Sequence, residues 1–363
     1  MIKSLDAQYF PGGNTAWGFY SLWDSNLNDL QRLIILKGGP GTGKSTLLSG
    51  IAREFTQKGV PAELLWCSSD AESLDGIIFR KIGVGIVDGT APHVREPRYP
   101  GVIDKIINLG DYWNEALLLE NKKDIIYYTD ANRDLFRQTY ETMAEAKKYL
   151  DELKQLTQEG MAWDAVDEMT EKLLREIFSE YPDQSGGHEY HRFAGASTPQ
   201  GSIYFLDEIM RRATVTYVVK GGAGTGKSTL AKKIAQLAKT KGFAVEYYHC
   251  SFDPVSLDGI LIPALGVCII NASPLHKKTP AAATNWVIEM FQYMSPEIFK
   301  KNLPRITRAE ENFQATFAKA LLILKECKSI HDQLEDYYRK AMNFSDVALV
   351  KEKILQEIQR YLI

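Results

Sequence analysis

The sequence predicts an α/β chain in which one fold occurs twice. Each copy reads as a mostly parallel sheet flanked by helices and followed by a helical extension. Three observations carry this expectation. Segments recur at a constant offset of 183 residues. In each copy a short apolar run leads into a glycine-rich loop and then a helical pattern. Beyond about residue 100 of each copy the apolar residues fall at steps of three and four.

The repeat is ungapped. "GGPGTGKSTL" (38–47) and "GGAGTGKSTL" (221–230) agree at nine of ten positions. "CSSDAESLDGI" (67–77) and "CSFDPVSLDGI" (250–260) agree at eight of eleven. Upstream, "FPGGNTAWG" (10–18) pairs with "FAGASTPQG" (193–201), and downstream "GVGIVDGTAPH" (83–93) pairs with "GVCIINASPLH" (266–276). A match over roughly 90 residues means two copies of one fold. The polar stretch "YPDQSGGHEYH" (181–191) reads as the linker, which divides the chain into residues 1–185 and 186–363.

The elements follow in order. "RLIILK" (32–37) and "TVTYVVK" (214–220) are short apolar runs expected as buried strands, and "STLLSGIAREF" and "STLAKKIAQLAK" are expected as helices. "AELLWCSSD" and "AVEYYHCSFD" read as the next strands, ending at Asp70 and Asp253. The "SLDG" that follows is expected to open a helical turn, with Asp75 and Asp258 early in it and Asp70 as its N-cap. "IGVGIVD" and "LGVCIIN" are the next strands, ending on Asp88 and Asn271. In the extensions, Tyr140, Met143, Ala146, Leu150, Leu153 and Leu156 form one stripe. Phe313, Phe317, Ala320, Leu324, Cys327, Leu334 and Tyr338 form the other, with His331 beside them.

Composition narrows the function classes. A chain of 363 residues with 45% apolar and 25% charged residues is that of a soluble globular protein. A net charge of −3 offers no general attraction to nucleic acid or anionic membrane. Residues 111–180 carry seventeen Asp/Glu against nine Lys/Arg, which suits lid or partner contacts better than nucleic acid. Cys67, Cys250, Cys268 and Cys327 lack close pairing and read as reduced thiols. The N-terminus has no apolar signal core and no run of 18 apolar residues occurs, so a cytoplasmic protein without a membrane partner is expected.

Strand, glycine loop and helix together are the context of a P-loop. Its first copy comprises Gly38, Gly39, Pro40, Gly41, Thr42, Gly43, Lys44, Ser45 and Thr46. The second comprises Gly221, Gly222, Ala223, Gly224, Thr225, Gly226, Lys227, Ser228 and Thr229. Glycines let backbone N–H groups turn around a phosphate, and the helix N-terminus adds partial positive charge. Lys44 and Lys227 are expected to reach the β/γ-phosphates, and Ser45 and Ser228 to coordinate Mg²⁺.

Asp88, 44 residues after Lys44, is the expected second metal-side carboxylate. Asn271 stands in its place in the second copy and carries no charge, so the first site is expected to handle Mg–nucleotide better. Gly89 and Ala272 follow these residues, where a mechanical AAA-type ATPase carries Glu. Asp70 and Asp253, at strand ends facing the ligand crevice, are candidates for an acceptor-side base or, alternatively, the metal-side carboxylate. His93 and His276 could touch phosphate or acceptor, although a hydrogen-bonded loop role is the simpler reading. Phe10 could stack on a base or pack the core. Cys67 and Cys250 read as packing residues, and Arg133, Arg137, Arg305 and Arg308 are candidate lid arginines.

With the two P-loops, the paired "SLDG" segments and "DGTAPH" in place, the chain resembles a bacterial family of tandem P-loop ATPases or nucleotide-kinase-like proteins. The resemblance implies ATP binding at both P-loops and supplies no substrate. Asn271 departs from the Asp that the repeat would place there. The expected activity is Mg²⁺-dependent binding of ATP (or GTP) with hydrolysis or phosphoryl transfer. Alternatives are a small-molecule or nucleotide kinase using Asp70 as base, and a nucleotide-sensing interaction protein with little turnover.

Overall fold

The computed structural model describes residues 5–272 and 285–362. The first copy contains β1 (Leu5–Tyr9), β2 (Gly12–Thr15), β3 (Gly18–Ser21), α1 (Asp24–Leu27), β4 (Arg32–Lys37), α2 (Lys44–Gln57), β5 (Ala62–Trp66), β6 (Leu74–Phe79), β7 (Val84–Asp88), β8 (Asp104–Asn108), α3 (Glu115–Glu120), α4 (Lys122–Gln158) and α5 (Trp163–Phe178). The second contains β9 (Glu189–Phe193), β10 (Gly195–Thr198), β11 (Gly201–Tyr204), α6 (Leu206–Arg211), β12 (Val215–Lys220), α7 (Lys227–Thr240), β13 (Val245–His249), β14 (Leu257–Ile262), β15 (Val267–Ala272), β16 (Asn285–Glu289), α8 (Pro296–Ala341) and α9 (Phe344–Gln359).

Two six-stranded sheets result, ordered β1-β5-β6-β7-β4-β8 and β9-β13-β14-β15-β12-β16. In each, one strand (β6 or β14) runs against both neighbours and the other pairings are parallel. The architecture is α/β, with mixed and mostly parallel sheets. The "SLDG" segments are not helical turns. They open β6 and β14, all of whose residues are buried. A strand covered on both faces tolerates the Asp and Gly because neighbouring strands satisfy its backbone.

The period of two shows how β4 is buried on both faces. Ile34 and Leu36 join one cluster with α2, whereas Leu33 and Ile35 join another with Trp23 on the opposite face. Helix α2 offers that first cluster Leu47, Leu48, Ile51, Ala52 and Phe55.

The helical extensions are exchanged between the copies. Helix α5 follows the first sheet in sequence, yet Val166, Leu173, Ile177 and Phe178 pack with Val219, Leu230 and Ile234 of the second copy. Helix α9 follows the second sheet, yet Val347, Val350, Ile354, Leu355 and Ile358 complete the core of the first. Each such side chain contributes about 1.5–3 kcal/mol by burial. The long helices α4 and α8 lie against each other through Met143, Ala146, Leu150 and Leu153 on one side and Phe313, Phe317, Ala320 and Leu324 on the other.

The junction of the copies is two-fold-like. Phe10 N donates to Phe193 O and Phe193 N donates to Phe10 O, both at 3.0 Å. Beside them the buried Arg192 guanidinium pairs with Glu63 at 3.3 Å and Glu246 at 3.0 Å. Burial opposes ionisation of Glu246, but Arg192 and Arg212 outweigh it and hold the carboxyl down at about 2. Among the described residues no helix is long and apolar enough to cross a membrane.

Candidate functional site

The first glycine loop leaves β4 and enters α2 through three left-handed positions, Gly38, Gly41 and Gly43. Gly43 is the residue before the helix, so the N–H groups of the first turn of α2 open onto the loop. Lys44 Nζ donates to the carbonyls of Gly38 and Gly39 at 2.9 and 2.8 Å. Ser45 Oγ accepts from Leu74 N at 3.0 Å, which ties the start of α2 to β6.

Asp88 ends the adjacent strand, as the sequence predicts. Its Oδ1 accepts from Thr90 N at 2.8 Å, and its Oδ2 stands 3.6 Å from Lys44 Nζ. Loop and carboxylate face a cavity of about 920 Å³. That is the upper range of small-molecule sites. The other half of the molecule completes its wall: α8 supplies Lys328, His331, Glu335 and Arg339, α9 supplies Phe344, and the β10–β11 turn supplies Pro199. Among the described residues, three buried atoms of the lining have no hydrogen-bond partner: Ser69 Oγ, His93 Nδ1 and Asn132 Oδ1. Buried polar atoms are seldom left so, which makes this wall a candidate for a polar ligand.

Asp70 also lines this cavity. It caps a turn rather than a helix: Oδ1 accepts from Glu72 N at 3.3 Å and Oδ2 from Ser73 Oγ at 3.0 Å. Lys328 of α8 stands 3.5 Å from Oδ2. Its counterpart Asp253 is buried and accepts from Lys154 Nζ of α4 at 2.6 Å and from Trp17 Nε1 at 3.2 Å. Burial pushes the Asp253 carboxyl up, but Lys154, Lys147 and Trp17 outweigh it and hold the group below the usual carboxylate range.

The second glycine loop repeats the local geometry in different surroundings. Lys227 Nζ donates to Gly221 O at 2.7 Å, and Ser228 Oγ accepts from Leu257 N at 2.8 Å. Asn271 turns its amide away to donate to Leu257 O and supplies no charge. Burial therefore lowers the Lys227 amine to about 8, with Lys154 acting in the same direction against Asp258 and Cys250.

Both loops press on helices from the opposite extension. A Cβ on Gly41 would lie 2.6 Å from the Glu335 carbonyl oxygen of α8, and one on Gly224 2.4 Å from that of Lys154 in α4. Only glycine permits such an approach together with the positive φ these residues adopt.

Other sequence candidates settle differently. His93 is buried with Nε2 3.1 Å from Asp75 Oδ2, whereas His276 lies outside the described residues. Phe10 is fully buried and stacks on Phe205 at 5.2 Å, which is a core role. Arg133, Arg137 and Arg305 are exposed and pair with Asp130, Asp134 and Glu152. Arg308 is exposed as well. Besides Lys44, the Lys and Arg residues that line the cavity are Lys328 and Arg339 of α8, which belong to no motif. A signal existed in the α8 stripe, where both flank His331 and Tyr338.

No family model, curated protein or solved structure matches the chain. The functional reading therefore rests on its own residues.

Proposed function

We propose that the chain is a tandem P-loop protein that binds ATP or GTP with Mg²⁺ and hydrolyses it or transfers its terminal phosphoryl group, with the first site more competent than the second. One observation carries this reading. The loop Gly38–Thr46 opens into the 920 Å³ cavity, and Lys44, Ser45 and Asp88 share its wall with three polar atoms that have no partner among the described residues.

The residues fit the group they would hold. Positive-φ glycines allow loop amides to turn towards a phosphate, and Lys44 can exchange its two loop carbonyls for phosphate oxygens. Ser45 and Asp88 are the residues that would hold Mg²⁺, which when bound neutralises phosphate charge. Thr90 orients Asp88 so that one oxygen stays directed at Lys44. The α8 wall offers Lys328 and Arg339 as further positive charge.

A titration with radiolabelled nucleotide, read for stoichiometry and for turnover, tests this. Two bound nucleotides with hydrolysis at one are expected. Absence of Mg²⁺-dependent nucleotide binding overturns the proposal.

A second reading, a nucleotide-dependent change of shape with little turnover, draws on the contact of α8 with Gly41. A ligand in the loop bears directly on an element whose following helix, α9, is core to the same half. In the kinase alternative Asp70 would act as base only once Lys328 withdraws, because its oxygens are already engaged.

A further inference from the structure

The repeated segment Cys67–Ile77 does more than end a strand beside the loop. Cys67 at the end of β5, Asp75 in β6 and His93 beyond β7 bring one thiol, one carboxylate oxygen and one imidazole nitrogen within 4.8 Å of one another. All three line the cavity beside the glycine loop. We propose that Cys67, Asp75 and His93 bind a thiophilic divalent ion of the zinc class, with a fourth coordination position open to the cavity.

The geometry suits such an ion. Bonds of about 2.0–2.3 Å at tetrahedral angles separate ligand atoms by about 3.3–3.7 Å. The Asp75–His93 pair stands at 3.1 Å and the whole set within 4.8 Å, so small side-chain adjustments close the site. The donor set chooses the metal. Thiolate with imidazole selects zinc-class ions over Mg²⁺ and Ca²⁺, which separates this position from the one Ser45 and Asp88 would offer.

Within the cluster Asp75 and His93 partner each other. Asp75 is buried, and among the described residues no Lys or Arg pairs with it. Burial and the Asp75 charge push the Cys67 thiol well up, so binding of an ion would have to release that proton. His93 Nε2 is the nitrogen beside Asp75, and Nδ1 is buried with no hydrogen-bond partner among the described residues, its ring held against Phe19 and Trp23.

The repeat adds an independent observation. The second copy keeps Cys250, Asp258 and His276 at the same offset while it replaces Asp88 by Asn271. The cluster's residue types thus persist where the loop's carboxylate does not.

The test uses the full chain carrying Cys250→Ser, freed of metal and titrated with Co²⁺. A thiolate-to-cobalt charge-transfer band saturating near one equivalent is expected, bleached by Zn²⁺ and untouched by a large excess of Mg²⁺. Cys67→Ser should abolish the band, and Cys327→Ser, which removes another thiol of the same cavity, should retain it. If Cys67→Ser does not fold by circular dichroism, Asp75→Asn and His93→Gln replace it and should weaken Co²⁺ binding roughly tenfold or more. No thiolate band in the parent, a band undiminished by the ligand substitutions, or displacement by Mg²⁺ overturns the assignment. Nucleotide binding plays no part in the readout, so the outcome is separate from that of the P-loop proposal.

Discussion

The two glycine loops differ at one residue of ten, yet they stand in unlike electrostatic surroundings. Lys44 has Asp88 3.6 Å away and a cavity before it. Lys227 has Asn271 in place of that carboxylate and a buried amine lowered to about 8. The loop sequence sets the backbone and the lysine's reach. The residue ending the neighbouring strand and the helix crossing from the other copy set the charge. A loop motif thus announces where phosphate could bind, and its neighbours decide how well.

The comparison is broken most directly at the lysines. Lys44→Ala is expected to lower Mg²⁺-dependent turnover roughly 100- to 1,000-fold, the cost of removing one preorganised donor to developing charge. Lys227→Ala should change it only a few-fold. Steady-state phosphate release from both variants decides the matter. Equal losses, or loss confined to Lys227→Ala, would remove the asymmetry between the sites.

The acids at the crevice offer a smaller contrast. Lys154→Ala leaves Asp253 buried without its closest cation, whereas Lys328→Ala frees an Asp70 that is partly exposed. The first change is expected to cost about 1–3 kcal/mol of unfolding free energy, the second about 0–1 kcal/mol. Denaturant unfolding at neutral pH compares them. The sign with pH follows from the lowered Asp253 carboxyl. Its stabilisation is present above the ordinary carboxylate value and is lost as pH falls through the folded one. Acid destabilisation should therefore flatten in Lys154→Ala and stay unchanged in Lys328→Ala. The reverse pattern would place the important ion pair in the first copy.

What the sequence made legible follows from local physics. The duplication, the strands β4, β7, β12 and β15, the helices α2 and α7 and both loops rest on apolar runs and glycine spacing that act within a few residues. The β6 and β14 strands were hidden because Ser-Leu-Asp-Gly has poor strand propensity, and burial on both faces overrides propensity. Pro263 directly after "LDGILI" was a usable sign, since a helix begun at Leu257 would have had to continue through it. The Cys67–Asp75–His93 cluster was out of reach because its members come from three separate segments: the residue after β5, the start of β6 and the loop beyond β7. The exchange of α5 and α9 is tertiary as well, and the observed helix lengths account for it. At about 1.5 Å per residue, the 37 residues of α4 and 46 of α8 span about 55 and 69 Å. A domain of about 100 residues has a radius of gyration near 13 Å. Helices that long had to leave their own sheet.

The smallest expected effect tests the comparison at the residue that creates it. Phosphate attracts the ammonium form of Lys227, and that amine loses its proton near pH 8. In a Lys44→Ala background, calorimetric nucleotide affinity at the second loop should hold steady below about pH 8 and weaken a few-fold above it. Asn271→Asp restores a carboxylate where the first copy has one, which raises the Lys227 value and moves the decline to higher pH. The substitution also loses the amide bond to Leu257 O, at about 1–3 kcal/mol. Unfolding of this variant must therefore be measured alongside binding. The same lowered amine makes folding stability rise between about 8 and 10.5, where the unfolded lysine still holds the proton that the folded one has released. If affinity stays flat across that range, or if Asn271→Asp leaves its decline in place, the charge difference between the loops has another source than the missing carboxylate.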